Sequence, residues 1–218
     1  MQELEYQINN SYVITEENKW YLISKRIIDI LCSLGGLIIL SPLLLIISIL
    51  IKLESKGPII FTQKRVGRNG DEFYMYKFRS MVINAEELKK RIEDKNEMTG
   101  PMFKIKNDPR VTGVGKFIRK TSIDELPQLV NILKGEMSVV GPRPSLSKEV
   151  EQFEPWMKIR HSVKPGLTCY WQVSGRNSIQ FEEWMKLDVK YVMEKSLFLD
   201  IKLIFKTFFV LLGDKNAS

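Results

Sequence analysis

The run from Ile27 to Ile51, IIDILCSLGGLIILSPLLLIISILI, decides the architecture: 25 residues carrying one charge, Asp29. As an unbroken helix it measures about 37 Å against a hydrocarbon core of about 30 Å, so it is long enough to cross a membrane. A cleaved signal peptide is a poor alternative. The apolar run is too long, 26 residues precede it, and Lys52-Leu53-Glu54-Ser55 follows where small residues would mark cleavage. Ser41-Pro42 lies inside the run, where proline loses the backbone bond to the Ile38 carbonyl and clashes with it, so a kink is expected. The halves on either side are about 22 and 15 Å long, and neither alone crosses the core. Both flanks are basic, with Lys19, Lys25 and Arg26 before the run and Lys52, Lys56 and Lys64 after it, whereas a one-way span is expected to be asymmetric. A re-entrant helix-break-helix over residues 25–54, with its break at Ser41 and Pro42, satisfies both observations. A kinked transmembrane helix stays open as the alternative, since such helices tolerate proline. Lys25 and Arg26 stand four and three residues before Asp29, a spacing that predicts pairing with it at the cytoplasmic headgroups. A hairpin would also place Tyr12 and Lys215 on the same side.

Outside this run, residues 1–24 read as a polar arm and residues 55–218 as a globular unit. A chain of 218 residues that is 44% hydrophobic and 27% charged buries a core without disulfides. Cys32 and Cys169 form no disulfide framework, and the single histidine, His161, removes any histidine-based metal cluster. A net charge of +7 points to an anionic partner: nucleic acid, a phosphorylated substrate or an acidic leaflet. Nucleic acid is disfavoured, because no recognition motif accompanies the charge and a membrane run does. Residues 58–82 read as two strands around Arg68-Asn69-Gly70-Asp71, since Asn-Gly favours a hairpin turn. Asn84 and Glu87 have capping-box spacing ahead of a charged helix to about Lys95. A shorter helix follows Asp124 and stops at Gly135. Phe181, Trp184, Met185 and Tyr191 suggest another helix. From Leu197 to Leu212 the apolar residues recur at helical spacing, consistent either with a membrane interface or with plain core.

Gly113-Val114-Gly115-Lys116 is a weak nucleotide signature, lacking Walker A spacing. More informative is Arg119-Lys120-Thr121-Ser122-Ile123-Asp124-Glu125-Leu126-Pro127-Gln128, where adjacent carboxylates stand beside two cations. Ser122 and Glu125 have the spacing of a helix cap, although Pro127 pushes the helix start toward Asp124. The same carboxylates, flanked by arginine, could instead bind Mg²⁺ while arginine clamps phosphate. Arg79, Arg143 and Arg176 have unusual neighbours. Arg143 lies between Pro142 and Pro144, which fix its backbone and present the guanidinium at little entropic cost. For each arginine taken alone, a surface salt bridge is the competing reading. His161 and Cys169 read as structural.

Taken together these segments resemble the bacterial sugar transferase family, the monotopic polyprenyl-phosphate phosphoglycosyl transferases. The resemblance runs from Lys25 to about Phe205. It rests on Lys25-Arg26-Ile27-Ile28-Asp29, the Ser41-Pro42 break, Gly57-Pro58-Ile59-Ile60-Phe61, Gln63-Lys64-Arg65-Val66-Gly67, Lys77-Phe78-Arg79-Ser80-Met81, Asn107-Asp108-Pro109-Arg110, Arg119 through Gln128, Gly141-Pro142-Arg143-Pro144 and Lys164-Pro165-Gly166-Leu167-Thr168. It implies an α+β fold, mainly helical with a small β-hairpin, in a monotopic membrane protein with a kinked re-entrant helix and amphipathic interfacial helices. The site would lie in residues 55–218, at the cytoplasmic face of the bacterial inner membrane. The implied reaction moves a sugar-1-phosphate from a UDP-sugar to polyprenyl (undecaprenyl) phosphate, releases UMP and initiates exopolysaccharide, capsule or other glycoconjugate assembly. Asp124 is implied as nucleophile and Mg²⁺ ligand, with Glu125 assisting. Arg119, Arg143, Arg176, Lys77 and Arg79 are implied at the phosphates or nucleotide. Longer members carry an N-terminal multi-span region that is not seen here, so a short, catalytic-only form is expected. Thr168-Cys169-Tyr170-Trp171-Gln172 looks more like relatives that handle simple hexoses such as galactose or glucose.

Overall fold

Asn18 opens the first helix by accepting a hydrogen bond from the Trp20 amide, and the helix then runs unbroken from Lys19 to Glu54 (α1). In this computed structural model, residues 18–92, 94, 96, 103, 105, 107–174 and 179–213 are described. α1 therefore begins inside the segment that the sequence assigns to a loose arm. It also continues through Ser41 and Pro42 instead of breaking there. The reason is local: the Ser41 hydroxyl donates to the Ile38 carbonyl at 2.8 Å, replacing the bond that Pro42 cannot make. Both residues are exposed, so the proline ring meets no packing obstacle.

One stripe of α1 is buried along its length. Asp29, Ser33, Ile47 and Ile51 are buried and Leu37 and Leu44 half-buried, and these residues, spaced by three, four or seven positions, face the globular unit. The opposite face is apolar and exposed, with Leu31, Ile38, Ile39 and Leu53 each more than 60% accessible. Among the described residues, α1 is the single helix long and apolar enough to cross a membrane, with mean hydropathy 2.8 in its most apolar window.

The remaining elements follow from turns that the sequence marks plainly. Strands β1 (Ile60–Val66) and β2 (Glu72–Phe78) pair antiparallel, from Ile60 opposite Phe78 to Val66 opposite Glu72. Asn69 and Gly70 take φ of 57° and 89° in the connecting turn, the left-handed conformation for which Asn-Gly is suited. Helix α2 (Ala85–Lys90) follows Asn84, but the Asn84 side chain makes no capping bond and the helix stops short of Lys95. Helix α3 (Gly113–Lys120) is capped by Thr112, whose hydroxyl accepts from the Gly115 amide at 2.9 Å, and by Glu54, which accepts from the Val114 amide at 3.1 Å. That helix start is already bonded within the chain, and a Cβ on Gly115 would lie 2.0 Å from the Ser80 carbonyl oxygen. The glycines there serve close packing, not phosphate binding.

A 3₁₀ turn (Ile123–Glu125) leads into α4 (Gln128–Lys134), which ends at Gly135 with φ 85°. Then come β3 (Ser138–Val140), the short α5 (Ser147–Val150), a 3₁₀ segment (Pro155–Ser162), β4 (Gly166–Thr168), α6 (Tyr170–Val173), α7 (Phe181–Glu194) and α8 (Leu197–Gly213). β3 and β4 form a two-stranded parallel sheet, Ser138 opposite Gly166 and Val140 opposite Thr168. The core gathers Ile132, Met137, Val140, Tyr191 and Leu203 between α4, β3, α7 and α8. Phe198, Phe205, Phe208 and Phe209 on the outer side of α8 remain exposed, like the outer face of α1.

The charges near the start of α1 are spent inside the protein. Lys25 Nζ pairs with Asp200 Oδ2 at 2.8 Å and donates to the Val140 carbonyl at 2.9 Å. Arg26 donates to the Ile132 and Leu133 carbonyls at 2.6 and 2.7 Å, closing the C-terminal end of α4, where a cation is favoured. Asp29 Oδ1 accepts from Ser138 Oγ at 2.9 Å and from the Val139 amide at 2.8 Å. The predicted pairing of Lys25 and Arg26 with Asp29 is thus replaced by contacts that clamp α1 to the globular unit. A buried carboxylate next to one hydroxyl and one backbone donor gains more from them than from neighbours on its own helix.

Candidate active site

Asp124 is set by the turn before it. Ser122 has φ 56°, a left-handed conformation that a serine adopts only under constraint, and its side chain makes no capping bond. The helix-cap reading of Ser122 and Glu125 therefore fails. The reversal at Ser122 delivers Asp124 and Glu125 into a cavity of about 560 Å³ lined by β1, β2, the segment after β2, α3 and α6.

The two carboxylates differ sharply. Glu125 Oε1 accepts from Lys77 Nζ at 2.8 Å and from Arg143 Nη1 at 2.9 Å. Lys77 and Arg143 beside it hold Glu125 well below the usual carboxylate range, more than offsetting its burial. Asp124 is 9% exposed and makes no hydrogen bond or ion pair among the described residues. Burial, with Glu125 adding to it, pushes Asp124 up to about 6, although Lys77, Arg119 and Arg143 pull the other way. Desolvation likewise lowers Lys77, while Glu125 and Asp124 raise Arg143. The site therefore holds one neutralised carboxylate and one available carboxylate amid cations.

Each cation reaches the cavity from a different element. Lys77 comes from β2, opposite Phe61 in the hairpin register. Arg119 is exposed in the last turn of α3 and lines the cavity. Arg143 is presented between its two prolines, with its guanidinium 5.8 Å from the Trp171 ring centroid. Arg79 also borders the cavity, but its guanidinium is committed elsewhere. It donates to the Ser55 and Lys56 carbonyls at 2.7 and 2.9 Å, just beyond α1, and to Ser55 Oγ at 2.9 Å. The free carbonyls there bind a buried cation more readily than a solvated substrate would, so Arg79 closes the end of α1. Arg176 lies outside the described residues. Ser41 and Pro42 belong to α1 and are not among the cavity residues.

Sequence reasoning passed over Arg65. It alternates with Phe61 and Gln63 along β1, all three lining the cavity, and donates to the Pro144 carbonyl at 3.1 Å. Burial and the neighbouring Arg143 lower it to about 10. The period-two spacing of 61, 63 and 65 opposite Lys77 was the available signal.

A divalent cation is compatible with these donors. Among the described residues no group of three or more His, Cys, Asp or Glu could form a closed cage. Mg²⁺ typically takes one or two carboxylates and completes its shell with substrate phosphates and water, and Asp124 is the carboxylate not already claimed.

Residues 20–214 match the family model described as "Bacterial sugar transferase". The chain belongs to the bacterial sugar transferase family. It is 51% identical over 211 residues to "Galactosyl transferase CpsE" of Streptococcus agalactiae, covering 94% of this chain and 47% of that protein. It is 46% identical over 197 residues to "Undecaprenyl-phosphate galactose phosphotransferase" of Salmonella typhimurium, covering 88% and 41%. It is 41% identical over 204 residues to "UDP-glucose:undecaprenyl-phosphate glucose-1-phosphate transferase" of Klebsiella pneumoniae, covering 90% and 42%. The chain spans less than half the length of these relatives.

Proposed function

We propose that this sugar transferase moves a sugar-1-phosphate from a UDP-sugar to undecaprenyl or a related polyprenyl phosphate, releases UMP, and so initiates polysaccharide or other glycoconjugate assembly. The observation that carries the reading is the split pair: Glu125 is neutralised by Lys77 and Arg143, which leaves Asp124 as the available nucleophile beside phosphate-binding cations. An Asp124 carboxylate oxygen attacks the β-phosphorus. The bond from that phosphorus to the oxygen bridging the two phosphates breaks, and UMP leaves with the bridging oxygen and its electrons. A phosphate oxygen of the polyprenyl phosphate then attacks the aspartyl-bound phosphorus. The acyl-phosphate bond breaks, Asp124 regains its carboxylate and the polyprenyl diphosphate sugar departs. Arg119 and Arg143 clamp phosphate oxygens, and Glu125 holds Arg143 and Lys77 in place and offsets their repulsion. Mg²⁺, held by Asp124 when bound, would supply positive charge to the diphosphate.

Attachment to the cytoplasmic face of the inner membrane is part of the same reading. Lys25 near one end of α1 and Ser55 just past the other are both bonded to the globular unit, which supports a monotopic arrangement with both ends of the unbroken helix on one face. The exposed apolar faces of α1 and α8 would supply the lipid contact. The names of the three relatives favour galactose or glucose as the sugar. Purified protein should release UMP from UDP-galactose or UDP-glucose, and label should pass to the lipid only when polyprenyl phosphate is added. Absence of UMP with every UDP-hexose tested would refute the reading. Matching protection of Tyr12→Cys and Lys215→Cys from an impermeant thiol reagent in intact cells, with Cys32 and Cys169 replaced by serine, tests the topology; labelling of position 12 alone would refute it.

A further inference from the structure

Arg143 can act on a diphosphate only if its backbone is held still, and the loop from Val140 to Ser145 is held by donors from several elements. The Val140 carbonyl accepts from Lys25 Nζ at 2.9 Å, Pro142 from the Gly166 amide at 2.9 Å, and Pro144 from Arg65 Nη1 at 3.1 Å. The contact at the centre of the loop is the unusual one. Arg160 Nη2 donates to the Arg143 carbonyl at 2.6 Å and to Asp188 Oδ2 at 2.7 Å, while Arg160 Nη1 donates to Ser145 Oγ. Arg160 is 1% exposed and Asp188 is fully buried, so neither touches substrate.

A guanidinium buried this deeply needs a counter-charge, and Asp188 on α7 supplies it. Arg160 Nη1 and the second contact of Nη2 go to the arginine-bearing loop, while Nε has no partner among the described residues. The guanidinium also lies 5.8 Å from the Trp184 ring centroid, and Trp184 stacks on Trp171 with centroids 4.6 Å apart. Trp171 in turn lies beneath the Arg143 guanidinium. Residues of α7 thus reach both the backbone and the side chain of Arg143.

We propose that Asp188 and Arg160 are positioning residues for phosphate transfer: the buried pair fixes the backbone from which Arg143 presents its fork to the substrate diphosphate. This rests on the reading of Arg143 as a diphosphate ligand. A buried ion pair often contributes little more stability than apolar residues of the same volume, which suits a role in specifying one loop conformation.

The test is a binding cycle on the full chain in detergent, with UDP and Mg²⁺ as the probe and isothermal titration as the readout. Asp188→Asn keeps the shape and loses the charge. Arg160→Lys keeps a charge against Asp188 but cannot serve the Arg143 carbonyl and Ser145 together. Each should weaken UDP about tenfold in the wild-type background and less than twofold in an Arg143→Ala background. Equal weakening in both backgrounds, or none in the wild-type background, would overturn the proposal. Should Asp188→Asn fail to fold, judged by its thermal melt, Arg160→Lys decides alone by the same criteria. The underlying reading fails separately: a wild type that releases no UMP from UDP-hexoses sinks that reading, whereas a wild type that turns over but gives an additive cycle sinks only the positioning role.

Discussion

Arg143 Nη1 lies 2.9 Å from Glu125 Oε1, and the same oxygen receives Lys77 Nζ at 2.8 Å. Two cations therefore converge on Glu125, whereas Asp124 has no ion pair among the described residues. Glu125→Gln would leave both without their counter-charge and remove the negative neighbour that raises Asp124. Turnover should fall at least about tenfold, which corresponds to about 1.4 kcal/mol of barrier. The acid limb of the pH profile should move to lower pH at the same time. A fall in rate with an unmoved limb would assign Glu125 a role other than setting the charge of the site.

In the wild type, UMP release in the first half-reaction should rise with pH and level off above about 6, where Asp124 loses its proton. The sign follows from the chemistry: the attacking form is the carboxylate, and its raised pKa keeps it protonated to a higher pH than a solvated aspartate. Exhaustive chelation should stop the reaction, and readdition of Mg²⁺ should restore it. Full UMP release after chelation would contradict metal dependence.

Arg79 and Arg119 should separate under the same change. Arg79→Lys loses the fork that closes the end of α1, so it should lower the melting temperature and leave the KM for UDP-sugar near wild type. Arg119→Lys should leave the melting temperature unchanged and depress turnover, because a phosphate clamp needs the bidentate geometry. The opposite pairing of effects would return Arg79 to the substrate.

Asn131 should be a stability position. It is fully buried, accepts from the Tyr76 amide at 2.9 Å, and donates to the Tyr74 carbonyl and to Glu136 Oε2 at 2.7 Å each. It thereby stitches α4 to the free edge of β2. Asn131→Ala strands these buried groups and should cost about 3 kcal/mol, read as a lower denaturation midpoint at unchanged slope.

Local chemistry made much of this legible. The Asn69-Gly70 turn, the Gly135 helix stop and the apolar run of α1 each follow from neighbouring residues alone, and all three are where the sequence puts them. Nonlocal pairing was not legible. The partners of Arg26, Asp29 and Arg79 lie more than 20 residues away, and nothing in the intervening sequence marks them. The helix through Pro42 escaped because a serine hydroxyl replaced the missing donor. The parallel pairing of β3 with β4 escaped because three-residue strands carry too little alternation to read. At the site, the acids and the proline-flanked arginine stood out by composition. The inequality between Asp124 and Glu125 did not, since it depends on which of them Lys77 and Arg143 reach.

That inequality is tested most directly by intact-mass analysis after mixing the protein with UDP-galactose or UDP-glucose in the absence of lipid acceptor. The wild type should gain the mass of one hexose phosphate, and polyprenyl phosphate should discharge it. Asp124→Asn, which keeps the shape but loses the attacking charge, should gain nothing. An equal adduct on both proteins would contradict Asp124 as the nucleophile.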